Sequence, residues 1–133
     1  MSLLTTESTE YTEDSLTAEV IGCAIEVHRL MGPGLLESAY EKALAYELAC
    51  QGVEFEVQKV LPVRYKSVDI DCAYRIDLLI EGKLIVELKA VSRLEPIHEA
   101  QLLTYMKLSG VNKGLILNFN VRQLKDGIKR MVL

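Results

Sequence analysis

LIVELKAV, Leu84 to Val91, is an apolar run of strand length with two charges inside it, Glu87 and Lys89. Successive side chains of a strand turn to opposite faces, so Glu87 and Lys89 share one face while Val86, Leu88 and Ala90 share the other. A charged pair is displayed together on one side of an otherwise apolar strand. Just upstream, DIDCAYRIDLLI (Asp69 to Ile80) is separated from it by a turn containing Glu81-Gly82, and the two segments read as an antiparallel hairpin. An odd-numbered turn around Gly82 puts Asp77 on the face of Glu87 and Lys89; an even-numbered turn separates them.

Two carboxylates one strand spacing apart raise each other's pKa unless a cation lies between them. Oxygen ligands from Asp77, Glu87 and a backbone carbonyl, that of Leu88, suit Mg²⁺ or Mn²⁺, leaving positions for water and a phosphate. Lys89, one side chain further on, is placed to orient or deprotonate the attacking water or to hold developing phosphorane charge. That is the layout of a phosphodiesterase. The bland alternative is a plain exposed Glu–Lys pair, worth a few tenths of a kcal/mol.

Outward from the hairpin, the period changes. Apolar residues recur at helical spacing at Val20, Ile21, Ala24, Ile25 and Leu30, with Ser15 or Thr17 as N-cap and a stop at Gly32-Pro33-Gly34. A second helix is predicted from about Leu36 to Gln51, with Leu36, Tyr40, Ala43, Leu44 and Leu48 on its apolar stripe and Gly52 as its stop. VEFEVQKV alternates from Val53 to Val60, Pro62 interrupts, and VRYK resumes the extended pattern. After the hairpin, Pro96 suits the first turn of a third helix, about Ile97 to Ser109, ended by Gly110. On it His98, Gln101 and Tyr105 form a polar stripe beside an apolar one of Leu102, Leu103 and Met106. GLILNF (Gly114 to Phe119) and IKRMVL complete the strands. The expectation is an α/β fold, a small mixed sheet centred on the Asp77 and Glu87 strands and flanked by helices.

The 133 residues are the size of one domain, expected over 15–133 behind a disordered tail at 1–14. No apolar run is long enough to span a bilayer, and the acidic, Thr-rich start lacks the features of a signal peptide, which points to the cytoplasm. Cys23, Cys50 and Cys72 fit neither a disulfide framework nor a zinc or iron–sulfur site and read as reduced core residues. The net charge of −4 hides an asymmetry: residues 1–56 carry −9 and residues 57–133 carry +5. An acidic total disfavours non-specific nucleic-acid binding, yet a basic face in the second half is compatible with it.

GPGLLESAY contains Gly34, Glu37 and Tyr40 in the spacing of the GxxExxY proteins. The resemblance extends through YRIDLLIEGKLIVELKAV and HEAQLLTYMKLSGVNKGLILNF, about Glu26 to Phe119. That family is similar to the PD-(D/E)XK nuclease superfamily, which implies a restriction-endonuclease-like core and divalent-metal nuclease activity on DNA or RNA. By the likeness Glu37 is the helix-borne acid and a further metal ligand, Asp77 the motif Asp, and Glu87-Leu88-Lys89 the (D/E)xK. Gln101 and Tyr105 resemble the QxxxY motif of RecB-type nucleases. Ile76 stands where the motif proline would be.

Individual residues carry simpler readings as well. Glu37 favours a helix start through the dipole alone. Tyr40 suits packing, and His28 suits a satisfied core histidine on the apolar face of the first helix. Arg75, on the strand face of Asp77, can bind phosphate or pair with a carboxylate. From another class comes a catalytically silent module of the same fold that holds nucleic acid or a protein partner; a third reading is a homodimer with a vestigial site.

Overall fold

The computed structural model describes residues 13–70 and 74–133. Cys72 and most of the expected tail lie outside them. Helix α1 (Ser15–Met31) and helix α2 (Glu37–Cys50) come first, then strands β1 (Phe55–Val60), β2 (Val63–Tyr65), β3 (Val68–Ile70), β4 (Arg75–Ile80) and β5 (Leu84–Lys89). Helix α3 (Pro96–Ser109), β6 (Lys113–Asn118), a 3₁₀ turn at Leu124–Gly127 and β7 (Ile128–Val132) complete the order. The expected α/β class, a small mixed sheet flanked by helices, is what the chain adopts.

Five strands form one sheet in the order β1-β4-β5-β6-β7. All neighbours are antiparallel except β5 and β6, which run parallel and are joined by α3. A parallel pair needs such a crossover, and the helix then covers one face of the sheet. Helices α1 and α2 cover the other. On their side Val20, Ala24, Val27, Tyr40, Leu44 and Leu48 pack against Leu78, Val86, Leu88 and Leu117. On the α3 side Leu102, Tyr105 and Met106 pack against Ile76, Ile85 and Ile116. Buried on both faces, β5 and β6 therefore read as near-continuous apolar runs.

Several boundaries and faces differ from expectation. Asp14, rather than Ser15 or Thr17, caps α1, its Oδ1 accepting from the Thr17 N–H at 2.7 Å. Ile25 and Leu30 are exposed, because the sheet meets the stripe through Val20, Ala24 and Val27 instead. Leu36 is 76% exposed: it is the extended residue before α2, outside the expected helical stripe. Cys50, the last residue of α2, is exposed too, whereas Cys23 is buried. The stretch from Asp69 to Ile80 is not one strand, since Val68–Ile70 pairs with β2 and only Arg75–Ile80 enters the main sheet.

The expected clean alternation of Val53 to Val60 also fails. Val57 and Val60 are both exposed, and Gln58 between them has φ 53°, in the left-handed region. For a residue with a Cβ that conformation costs on the order of 1–2 kcal/mol. It breaks the period of two at one rung of an edge strand.

Candidate active site

Three residues, Glu81 to Lys83, connect β4 to β5, the odd-numbered turn that brings Asp77 and Glu87 together. Gly82 takes φ 67° there, which glycine adopts freely. Near the turn the ladder is regular, with Ile80 opposite Leu84, Leu79 opposite Ile85 and Leu78 opposite Val86. One residue further the backbone pairing stops and carboxylates replace it. The Asp77 N–H donates to Glu87 Oε2 and the Leu88 N–H donates to Asp77 Oδ2, each at 2.9 Å. At the same point β4 rolls. Ile76 packs on the α3 side but Leu78 on the α1/α2 side, although residues two apart in a regular strand share a face.

Glu87 is 5% exposed, and its pKa is pushed up to about 8. Burial is the main cause, followed by the charge of Asp77; the Asp77 N–H and the Lys89 charge pull the other way. Without a cation Glu87 holds a proton at neutral pH, and a cation beside the pair favours its ionised form. Among the described residues no three His, Cys, Asp or Glu side chains form a ready-made metal cluster. The donors that do converge are hard carboxylate oxygens, the type that suits Mg²⁺ or Mn²⁺ rather than zinc.

The other candidate residues gather at this open end. Glu37, in the first turn of α2, accepts from the Ala90 N–H just past β5 at 3.3 Å. Lys89 is half-buried and within the field of Glu87. Tyr105 has its pKa raised by burial and by the charges of Glu87 and Asp77, and its hydroxyl accepts from Gln101 Nε2 at 3.1 Å. Tyr105 is also part of the packing stripe, in the place expected for Leu103, which is only half-buried. His98 lines a surface pocket together with Gln101 and Tyr105, as the expected polar stripe requires, and it also has a local structural role. Its Nδ1 accepts from the Glu95 N–H at 2.9 Å, completing a capping box at the start of α3. Arg75 is exposed and has no carboxylate partner among the described residues.

The Gly34, Glu37, Tyr40 spacing now has a physical account. Tyr40 is fully buried and stacks on Phe119 with ring centroids 4.4 Å apart. Its hydroxyl donates to the Gly32 carbonyl at 2.6 Å and accepts from the Leu35 N–H at 3.1 Å. Tyr40 thus fixes the turn that delivers Glu37. His28, as expected, is a buried, satisfied side chain, its Nε2 bonded to the Val121 carbonyl at 2.8 Å.

Buried Asn118 secures the far side. Its Oδ1 accepts from the Val91 N–H at 3.1 Å and its Nδ2 donates to the Val91 carbonyl at 2.9 Å. The Phe119 N–H donates to the Lys89 carbonyl at 2.9 Å. The segment carrying Lys89 is anchored on both sides.

Two residues at the site were not anticipated. Gln58 Nε2 donates to Glu41 Oε2 at 2.6 Å and to Asp77 Oδ1 at 3.2 Å. Glu41, half-buried on α2, has its pKa raised by burial and by Asp77 and Glu37, with the Gln58 bond opposing. Glu41 lies at i+4 from Glu37, on the same helix face, which was a usable signal. For Gln58 the signal was weaker: Val57 and Val60 are three apart, a slip in the strand period.

Comparison with curated proteins gave no match, and neither did comparison with solved structures. A family model does match, over residues 14–131, from the cap of α1 into β7. It describes the PD-(D/E)XK nuclease superfamily, and this chain belongs to that superfamily.

Proposed function

We propose that this chain is a Mg²⁺- or Mn²⁺-dependent nuclease that hydrolyses phosphodiester bonds of nucleic acid. The observation that carries the reading is the rung at which Asp77 and Glu87 replace the backbone ladder with their carboxylates. A buried carboxyl with its pKa near 8 beside a second acid is costly to ionise without a cation, and such pairs mark functional sites. Asp77, Glu87 and the Leu88 carbonyl would hold the cation, with Glu37 completing the acidic shell from α2. The cation supplies Lewis acidity toward the phosphoryl group and the attacking water.

The remaining work falls to the chain's own groups. The Lys89 ammonium, on the strand face of Glu87, orients the water or holds charge developing on the phosphate. Tyr105, oriented by Gln101, has a hydroxyl whose proton has no acceptor among the described residues, so it is free to donate to a substrate phosphate. Glu37, Asp77, Glu87, Lys89, Gln101 and Tyr105 act together in this reading.

The test is cleavage of single- and double-stranded DNA and RNA with Mn²⁺, comparing the natural chain with Lys89→Ala and Glu87→Ala. Activity should fall at least about a hundredfold in each variant, while circular dichroism stays unchanged. Equal cleavage by all three proteins rules out this site. Mn²⁺ binding with no cleavage of any substrate favours the silent binding module instead.

A further inference from the structure

On either side of Gln58 the β1–β4 register is intact, with Val57 opposite Leu78 and Lys59 opposite Ile76. Between those rungs Gln58 stands in the left-handed region, where its side chain reaches two carboxylates at once. Both partners are acceptors, so both amide N–H groups face them and the orientation of the amide is fixed. One partner, Glu41, comes from α2; the other is Asp77. The second oxygen of Asp77 accepts from the Leu88 N–H. Asp77 is thus held at Oδ1 from β1 and at Oδ2 from β5.

We propose that Gln58, anchored by Glu41, is a positioning residue that fixes the Asp77 carboxylate in its cation-binding orientation. The proposal rests on the reading of Asp77 as a cation ligand. It explains why an edge strand keeps a left-handed glutamine at the one rung that faces Asp77. Without Gln58 the Asp77 carboxylate keeps only the Leu88 N–H at Oδ2, and nothing from β1 fixes the direction of Oδ1. Partners that orient a ligating carboxylate typically change metal affinity about 10- to 100-fold when removed.

The experiment measures Mn²⁺ affinity by calorimetry, without nucleic acid, for the natural full chain and for Gln58→Gly, Glu41→Ala, Glu41→Gln and Asp77→Asn. Glycine takes the left-handed conformation without strain, so Gln58→Gly removes the amide and not the backbone shape. The expected result is an apo melting temperature at or above that of the natural chain, with Mn²⁺ affinity about tenfold weaker. Glu41→Ala should weaken it similarly, and Glu41→Gln, which keeps an acceptor for the amide, should restore most of it. In cleavage assays kcat should fall while KM for the nucleic acid stays within twofold. Mn²⁺ affinity unchanged in Gln58→Gly but lost in Asp77→Asn would overturn the positioning role and leave the site standing. A lowered apo melting temperature with unchanged affinity would also overturn it, marking Gln58 as structural. No Mn²⁺ binding by the natural chain would remove the reading of Asp77 and this proposal with it.

Discussion

The two ends of the β4–β5 hairpin are built from the same two strands and do opposite things. At the turn end, Leu78 to Ile80 and Leu84 to Val86 satisfy each other's backbone and bury apolar side chains on both sheet faces. At the open end, Asp77 and Glu87 insert their carboxylates where the ladder would continue. The closed end gives rigidity and gains stability from burial. The open end gives up regular pairing and buries a carboxyl, and only the rigidity of its neighbour makes that tolerable.

The largest way to break this contrast is Leu78→Ala. Leu78 is fully buried at the last regular rung, and its truncation should cost about 3–4 kcal/mol in urea unfolding. If the closed end supports the open one, Mn²⁺ binding should weaken as well; full affinity in a destabilised variant would show the two ends to be independent.

The open end can be probed by pH. Glu87 has a folded pKa of about 8 against an ordinary 4.5. A group whose pKa is raised by folding contributes stability that is complete below its unfolded pKa and is lost as pH rises through the folded one. Metal-free stability should therefore decline between about pH 4.5 and 8, by on the order of 5 kcal/mol. Denaturant unfolding of Glu87→Gln should show a flatter profile over that window. A natural chain whose stability rises across the same range would contradict the burial of this carboxyl.

The smallest effect sharpens the comparison from outside the hairpin. Tyr40→Phe keeps the stacking on Phe119 and removes the hydroxyl that ties Gly32 to Leu35. The expected cost is about 1–2 kcal/mol. Because that turn delivers Glu37, cleavage should fall more in Tyr40→Phe than in a surface substitution of equal stability cost.

The hairpin was legible in the sequence from strand alternation and the Glu81-Gly82 turn, but alternation left the parity of that turn open, and only the three-residue connection decides that Asp77 meets Glu87. Helix α3 and its stops were legible from Pro96 and Gly110. What escaped were departures from regularity. The roll of β4 at Asp77 puts Ile76 and Leu78 on opposite faces, against the very alternation used to place them. The split between β3 and β4 and the left-handed Gln58 are of the same kind. Such breaks are set by tertiary bonds, here from Glu41 and Asp77 to Gln58, and leave only a slipped period behind.

Sequence separation also gives the open end an order of assembly. Asp77 and Glu87 are 10 residues apart across a tight turn, and hairpins of that span close within microseconds. Glu37 meets Ala90 across 53 residues, and Asn118 meets Val91 across 27 after a helical crossover. Contacts of that reach are slower to form, because the chain's loop entropy must be overcome first. In a folding chain the two acids therefore meet before Glu37 and Asn118 reach the segment beside them, and the open end is the last part of the hairpin to be completed.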